Sequence, residues 1–209
     1  MATAEAQAGV QNYADGSIKT LRQSRTGELA KSDGHGAYWL TNRDQNVFFL
    51  TATNVTPSAF TGGAAGTPAI SIYNPVGSGK NCVIIGGSIG SRTAGSVAGT
   101  AGFALFGGPS AAVSGTRTVA SNMYSLQTGG SVTYGMVNTA NTGSSATTLL
   151  LALGSYYWAS AANANLAPLD FNVAGQIICP PGGLVALGAT AVVTSATYDF
   201  TLIWEELPI

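Results

Sequence analysis

Charge is what this sequence has least of. Asp, Glu, Lys and Arg make up 8% of its 209 residues, against about 25% in an ordinary soluble protein. Histidine occurs once, at His35, and cysteine twice, at Cys82 and Cys179. Each scarcity removes a class of function. A Ser-His-Asp triad would have to use His35, which sits between Gly34 and Gly36. A base on so pliable a segment is poorly held, and fixed geometry supplies much of a catalyst's rate. One histidine and two distant cysteines do not form the paired spacing of a zinc site. After Asp44 the only acids are Asp170, Asp199, Glu205 and Glu206. The last two are adjacent, so on a strand they point to opposite faces and cannot act as a glycosidase-like pair. No catalytic residue, cofactor site or metal site is expected.

Other absences narrow the partners. A net charge of −1 lacks the clustered basic face that phosphate binding needs, so no direct nucleic-acid partner is expected. The most apolar stretch, Thr148 to Trp158, is interrupted by Gly154 and Ser155. It falls short of the roughly 18 to 20 residues that cross a bilayer, which argues against a membrane partner. Met1 to Gln11 shows no basic segment followed by an apolar one, as a secretory signal would. The two cysteines sit in apolar, strand-like runs and read as buried, reduced side chains of a protein made in the cytoplasm. Spacing alone leaves open whether they pair. The run Gly77-Ser78-Gly79-Lys80-Asn81 approaches a phosphate-binding loop but lacks two of its parts. Asn74 stands where the first Gly is required, and Asn81 where Ser or Thr must reach magnesium. It reads as a glycine-rich hairpin loop.

What is present divides the chain in two. Ten of the 17 charged residues fall within the first 44. Turn formers at Asp15-Gly16, Thr26-Gly27 and Asp33-Gly34-His35-Gly36 punctuate this segment, and no helical periodicity is sustained. Residues 1–44 are therefore expected to be an extended polar arm, and residues 45–209 a nearly uncharged body. Within the body, Tyr198, Phe200, Leu202 and Trp204 alternate with Thr197, Asp199, Thr201 and Glu205, the period-2 signature of a half-buried strand. Phe171, Val173 and Ile177 lead into the turn Cys179-Pro180-Pro181-Gly182-Gly183, and Leu184 to Ala191 reads as the returning strand. Further strands are expected at Asn46–Thr53, Ala69–Tyr73, Asn81–Ile89, Gly102–Gly107, Thr116–Met123, Val132–Val137 and Thr147–Leu153. A short helical turn is allowed within Tyr157–Ala167. About ten short strands with Gly- and Ser-rich connections predict an all-β fold. The expectation is a single β-sandwich, jelly-roll-like, with an extended N-terminal arm.

Tyr156, Tyr157 and Trp158 form an aromatic cluster suited to a core or a subunit interface. The rival use, stacking on a sugar ring, suits a trimeric receptor-binding or fibre protein. So few surface charges leave a free monomer poorly protected against association, which points to a body covered by neighbouring subunits.

Leu21-Arg22-Gln23-Ser24-Arg25-Thr26-Gly27-Glu28-Leu29, with Asp33-Gly34-His35-Gly36-Ala37-Tyr38 after it, resembles the N-terminal arms of small virion proteins of tailed bacteriophages. Ile72-Tyr73-Asn74-Pro75 through Gly79-Lys80-Asn81 is similar to a loop of the same group, and Ile203 to Ile209 to their C-terminus. The segment Ser91–Ala146 carries no such likeness. The resemblance implies a decoration or cement protein on the outer surface of the head shell, a homotrimer that binds the major capsid protein. A tail or connector component is the alternative within the virion. It also implies an arm that ties neighbours together, with Lys19, Arg22, Arg25, Glu28, Lys31, His35, Tyr38, Trp39 and Arg43 as the candidate contacting residues.

Overall fold

The computed structural model describes residues 45–59, 68–109, 118–127, 129–137, 148–159 and 166–209. They contain ten strands: β1 (Val47–Val55), β2 (Ile70–Tyr73), β3 (Lys80–Thr93), β4 (Gly99–Pro109), β5 (Ser121–Asn122), β6 (Tyr134–Val137), β7 (Thr148–Trp158), β8 (Leu169–Cys179), β9 (Gly183–Ala191) and β10 (Thr197–Pro208). Two antiparallel five-stranded sheets result, ordered β5-β1-β10-β3-β8 and β6-β2-β9-β4-β7. The chain behaves as one long hairpin: β1 pairs with β10, β2 with β9, β3 with β8 and β4 with β7. It is rolled so that β10 also meets β3 and β9 also meets β4. That is the winding of a jelly roll, so the expected all-β jelly-roll sandwich is the fold observed. β5 and β6 belong to the connection between β4 and β7, and they extend the two sheets beside β1 and β2.

Side-chain alternation builds the core. Tyr198, Phe200, Leu202 and Trp204 on β10 are all fully buried, as period 2 required. Facing them from the other sheet are Phe103 and Leu105 of β4, and Ile70 and Ile72 of β2. In the middle of β3, Gly86 and Gly87 have no side chain for a steric reason. A Cβ on Gly86 would meet the carbonyl oxygen of Phe171, and one on Gly87 that of Thr201.

The two sheets are tied at the β7–β8 side by aromatic packing and one hydroxyl. The Phe103 and Tyr198 rings lie 5.0 Å apart edge to face, and Tyr156 stacks parallel to Tyr198 at 6.2 Å. The Tyr156 hydroxyl donates to the Ile89 carbonyl of β3 at 2.6 Å and accepts from the Leu169 N–H of β8 at 3.0 Å. Burial raises the pKa of this phenol, the Leu169 N–H pulls it back, and the nearby Asp170 adds to the rise. The hydroxyl therefore keeps its proton and its donor role.

Several strand limits differ from expectation. The strand expected at Thr116–Met123 shrinks to two residues, because Asn122 closes a tight loop there. The one expected at Thr147–Leu153 runs on to Trp158, which places Tyr157 and Trp158 in a strand rather than a helical turn. The remainder of that turn, residues 160–165, falls outside the described residues, as does the whole of 1–44.

Replacing Tyr156 with Phe removes the tie between sheets and leaves the Leu169 N–H and one Ile89 acceptor site without a protein partner. A destabilisation of about 1–3 kcal/mol is expected, read as a lower midpoint in urea with an unchanged slope.

Candidate functional site

A two-sheet sandwich has four outer edges, and each exposes a row of backbone N–H and C=O groups that another strand can use. Three are blunted here. β5 is two residues long and β6 four. β8 carries the exposed Asp170, and its pairing to β3 jumps from Ile177 opposite Ile84 to Asn172 opposite Gly86. The residues between form a bulge, with Val173 kept in the core, Ala174 at φ 47° and Gly175 at φ 81°. The Asn172 side chain holds this bulge by accepting the Ala174 N–H at 2.8 Å.

β7 is different. It runs for 11 residues without one charged side chain. Leu149, Leu150 and Leu151 are 47%, 45% and 39% exposed, and Tyr157 is 65% exposed. Among the described residues its only strand partner is β4. Two register shifts against β4, at Leu150 and Leu153, put leucine on both faces in succession. At the first shift Leu150 lies over Gly107, where a Cβ would collide with it. Leu150 thereby becomes one wall of an apolar groove of about 400 Å³, with Gly107, Pro109, Ile178, Pro180 and Leu184 on the other sides. Ile178, on β8, is itself 55% exposed.

The groove has a rigid floor. Asn74, fully buried, donates from its side chain to the Lys80 carbonyl at 2.8 Å and the Cys179 carbonyl at 3.0 Å. Its backbone N–H reaches the Gly183 carbonyl, and its own carbonyl accepts from Gly182. One residue thus joins the ends of β2 and β8 to the starts of β3 and β9. Gly77 and Gly79 turn the 75–79 loop at positive φ; the expected hairpin is not formed, because the loop carries the chain from β2 in one sheet to β3 in the other. Lys80 is an ion-pair partner: its Nζ lies 3.2 Å from Glu206.

Glu206 is fully buried and fully used. It accepts from Ser131 Oγ at 2.5 Å, from the Val132 N–H at 3.1 Å and from Lys80. This carboxylate fastens the connection between β4 and β7 onto β10. Arg92 and Asp199 pair at 2.9 Å on the surface. Partial burial pushes the Asp199 carboxyl up, but the Arg92 guanidinium and the Asn54 N–H outweigh it and hold the group below its usual range. Lys80, Arg92 and Asp199 are therefore engaged, and Asp170 sits on β8. Among the described residues β7 itself carries no charge, and the exposed Asp170 of β8 lies near its Tyr156 end.

The aromatic cluster divides. Tyr156 and Trp158 are 4% and 2% exposed and pack with Tyr198, so they are core residues. Tyr157 alone faces outward, because alternate strand residues point to opposite faces. A sugar platform made of all three is not formed, and of the expected interface aromatics only Tyr157 is placed to meet a partner. Lys19, Arg22, Arg25, Glu28, Lys31, His35, Tyr38, Trp39 and Arg43 lie outside the described residues. The sequence pointed to a strand at Thr147–Leu153 and an aromatic cluster after it, but not to their lying on one open sheet edge.

Cys82 and Cys179 stand directly opposite each other on β3 and β8 and are both free thiols. Burial pushes the Cys179 thiol up to about 12, partly opposed by the Asn74 N–H, and burial raises Cys82 as well.

No protein-family model matches the chain, and no curated protein does. A solved structure described as "KBV activated particle at acidic pH" aligns at 8% identity over 100% of this chain and 92% of that one, with a TM-score of 0.23. A superposition at that score carries no argument about fold or function.

The thiols predict a pH dependence. A raised folded-state pKa means stability that is present below the unfolded value of 9.0 and is lost as pH rises toward about 12. Alkaline denaturation curves should therefore flatten between those limits in a Cys82→Ser/Cys179→Ser protein relative to the parent.

Proposed function

We propose that the chain is a non-catalytic structural subunit of a tailed-bacteriophage virion, a decoration or cement protein on the outer surface of the head shell. It is made in the host cytoplasm, and it works as a homotrimer bound to the major capsid protein. The observation that carries this reading is the β7 edge, 11 residues long, apolar and without charge, whose two bulges leave Leu149, Leu150 and Leu151 exposed. Edge strands of monomeric proteins are protected by charge, proline, bulges or shortness. One lacking charge and carrying exposed leucines suits a surface covered by a partner. The occupant is another copy of this chain. An edge with no charge offers no charged partner anything to complement, whereas the chain's own body supplies the same apolar, nearly uncharged surface.

The shell location and three-fold assembly come from the likeness of the arm, the Asn74 loop and the C-terminal strand to small virion proteins of tailed phages. The mechanism is additive. Each contact buries an interface on the order of 1,200–2,000 Å², and many such contacts repeated over a shell gain avidity against internal pressure.

Leu149 and Tyr157 are both exposed, and they stand opposite the buried Phe106 and the exposed Thr100 of β4. Changing both to Lys should leave the melting of the isolated body within about 0.5 kcal/mol of the parent. Binding to shells stripped of the protein should weaken at least about tenfold, or ~1.4 kcal/mol. Unchanged binding in a co-sedimentation assay would remove the β7 edge from the account.

A further inference from the structure

A second apolar surface lies on the opposite side of the sandwich. The connection between β4 and β7 makes a tight loop at Asn122–Gln127, where Tyr124 is 58% and Leu126 72% exposed. Val119, just before it, is 60% exposed. β5 and β6 extend the sheets on this side, whereas β7 and β8 close the other.

The loop is held from within. The Asn122 side chain accepts from the Tyr124 N–H at 3.0 Å and the Ser125 N–H at 3.1 Å, and it donates to the Gln45 carbonyl at 2.7 Å. The Asn122 carbonyl accepts from Leu126 at 2.9 Å. Leu126 takes φ 56°, a left-handed conformation that is costly for a bulky side chain and is kept by the hydrogen bonds around it. A strained backbone that points leucine into water gains nothing within the monomer. It does present Leu126 and Tyr124 as a fixed, protruding pair.

One body therefore carries an apolar projection on one side and an apolar groove on the other. We infer that Tyr124 and Leu126 of one copy seat in the groove walled by Leu150 and Ile178 of the next, so that the copies join head to tail and close into a ring. Such a contact uses two different patches, and a ring is how it terminates. This inference rests on reading the β7 edge as an assembly surface and adds which part of the neighbour fills it.

Complementation tests it. A projection variant, Tyr124→Asp/Leu126→Asp, and a groove variant, Leu150→Asp/Ile178→Asp, are each compared with the parent by native mass spectrometry and sedimentation. The parent should form closed rings and each variant alone should remain a monomer. Mixing the two should restore one contact, since the groove of the first and the projection of the second are intact, and it should yield one-to-one heterodimers that grow no further. If the Asp variant of the loop does not fold, Leu126→Gly replaces it, because glycine accepts the left-handed backbone while removing the projection. Normal rings from the projection variant would overturn the head-to-tail contact and leave the β7 edge standing. Normal rings from the groove variant would overturn the edge reading itself. A monomeric parent at high micromolar concentration, or a mixture that stays monomeric, would also overturn the inference.

Discussion

An edge strand of a β-sheet must do something with the backbone hydrogen-bonding groups that face away from its neighbour. Water satisfies them at no great cost, but so does any other strand, and that openness constrains the whole molecule. Rolling a long hairpin into two sheets leaves four such edges. Two are shortened by the connection between β4 and β7, which folds back across the molecule to supply β5 and β6 beside β1 and β2. The third, β8, is interrupted by a bulge that Asn172 stabilises. The fourth, β7, has two bulges of its own but keeps its length and exposes its leucines.

The rest of the structure holds that fourth edge in shape. Tyr156, on β7 itself, reaches across the core to the Ile89 carbonyl and the Leu169 N–H, so the edge strand is fastened to the opposite sheet. Asn74 gathers four strand ends into one floor beneath the groove. Glu206 pins the β4–β7 connection onto β10. A surface presented by rigid strands meets a partner without first paying to order itself. Among the described residues, Lys80 and Glu206 fasten the interior and Arg92 pairs with Asp199 on the surface.

Local pattern carried the fold, and long-range pairing hid the site. Alternation along Tyr198–Trp204 and the turn at Cys179–Gly183 were legible because both depend on residues adjacent in sequence. The turn, however, passes from β8 in one sheet to β9 in the other, so Leu184–Ala191 does not return beside β8 as a hairpin. The same rule separates Tyr157 from its neighbours Tyr156 and Trp158 once they lie in a strand, but the strand was expected to end at Leu153. Asn74 was visible only as a loop residue, because its role is to bond Cys179, 105 positions away. Glu205 and Glu206 were weighed only as a catalytic pair. The burial of Glu206 depends on Ser131, Val132 and Lys80, which no local pattern brings to it. The openness of β7 is likewise a property of sheet order, since Thr148–Trp158 would be an ordinary buried strand if another strand lay beside it.

Hydrogen–deuterium exchange on the monomeric Leu150→Asp/Ile178→Asp protein and on the assembled parent tests the central claim most directly. The outward-facing amides of β7, within Thr148–Trp158, should exchange quickly in the monomer and be markedly slower in the assembly. The amides of β8, within Leu169–Cys179, should change little around the bulge at Ala174 and Gly175. Unaltered exchange along β7, with protection gained at another edge instead, would contradict the assignment of β7 as the assembly edge.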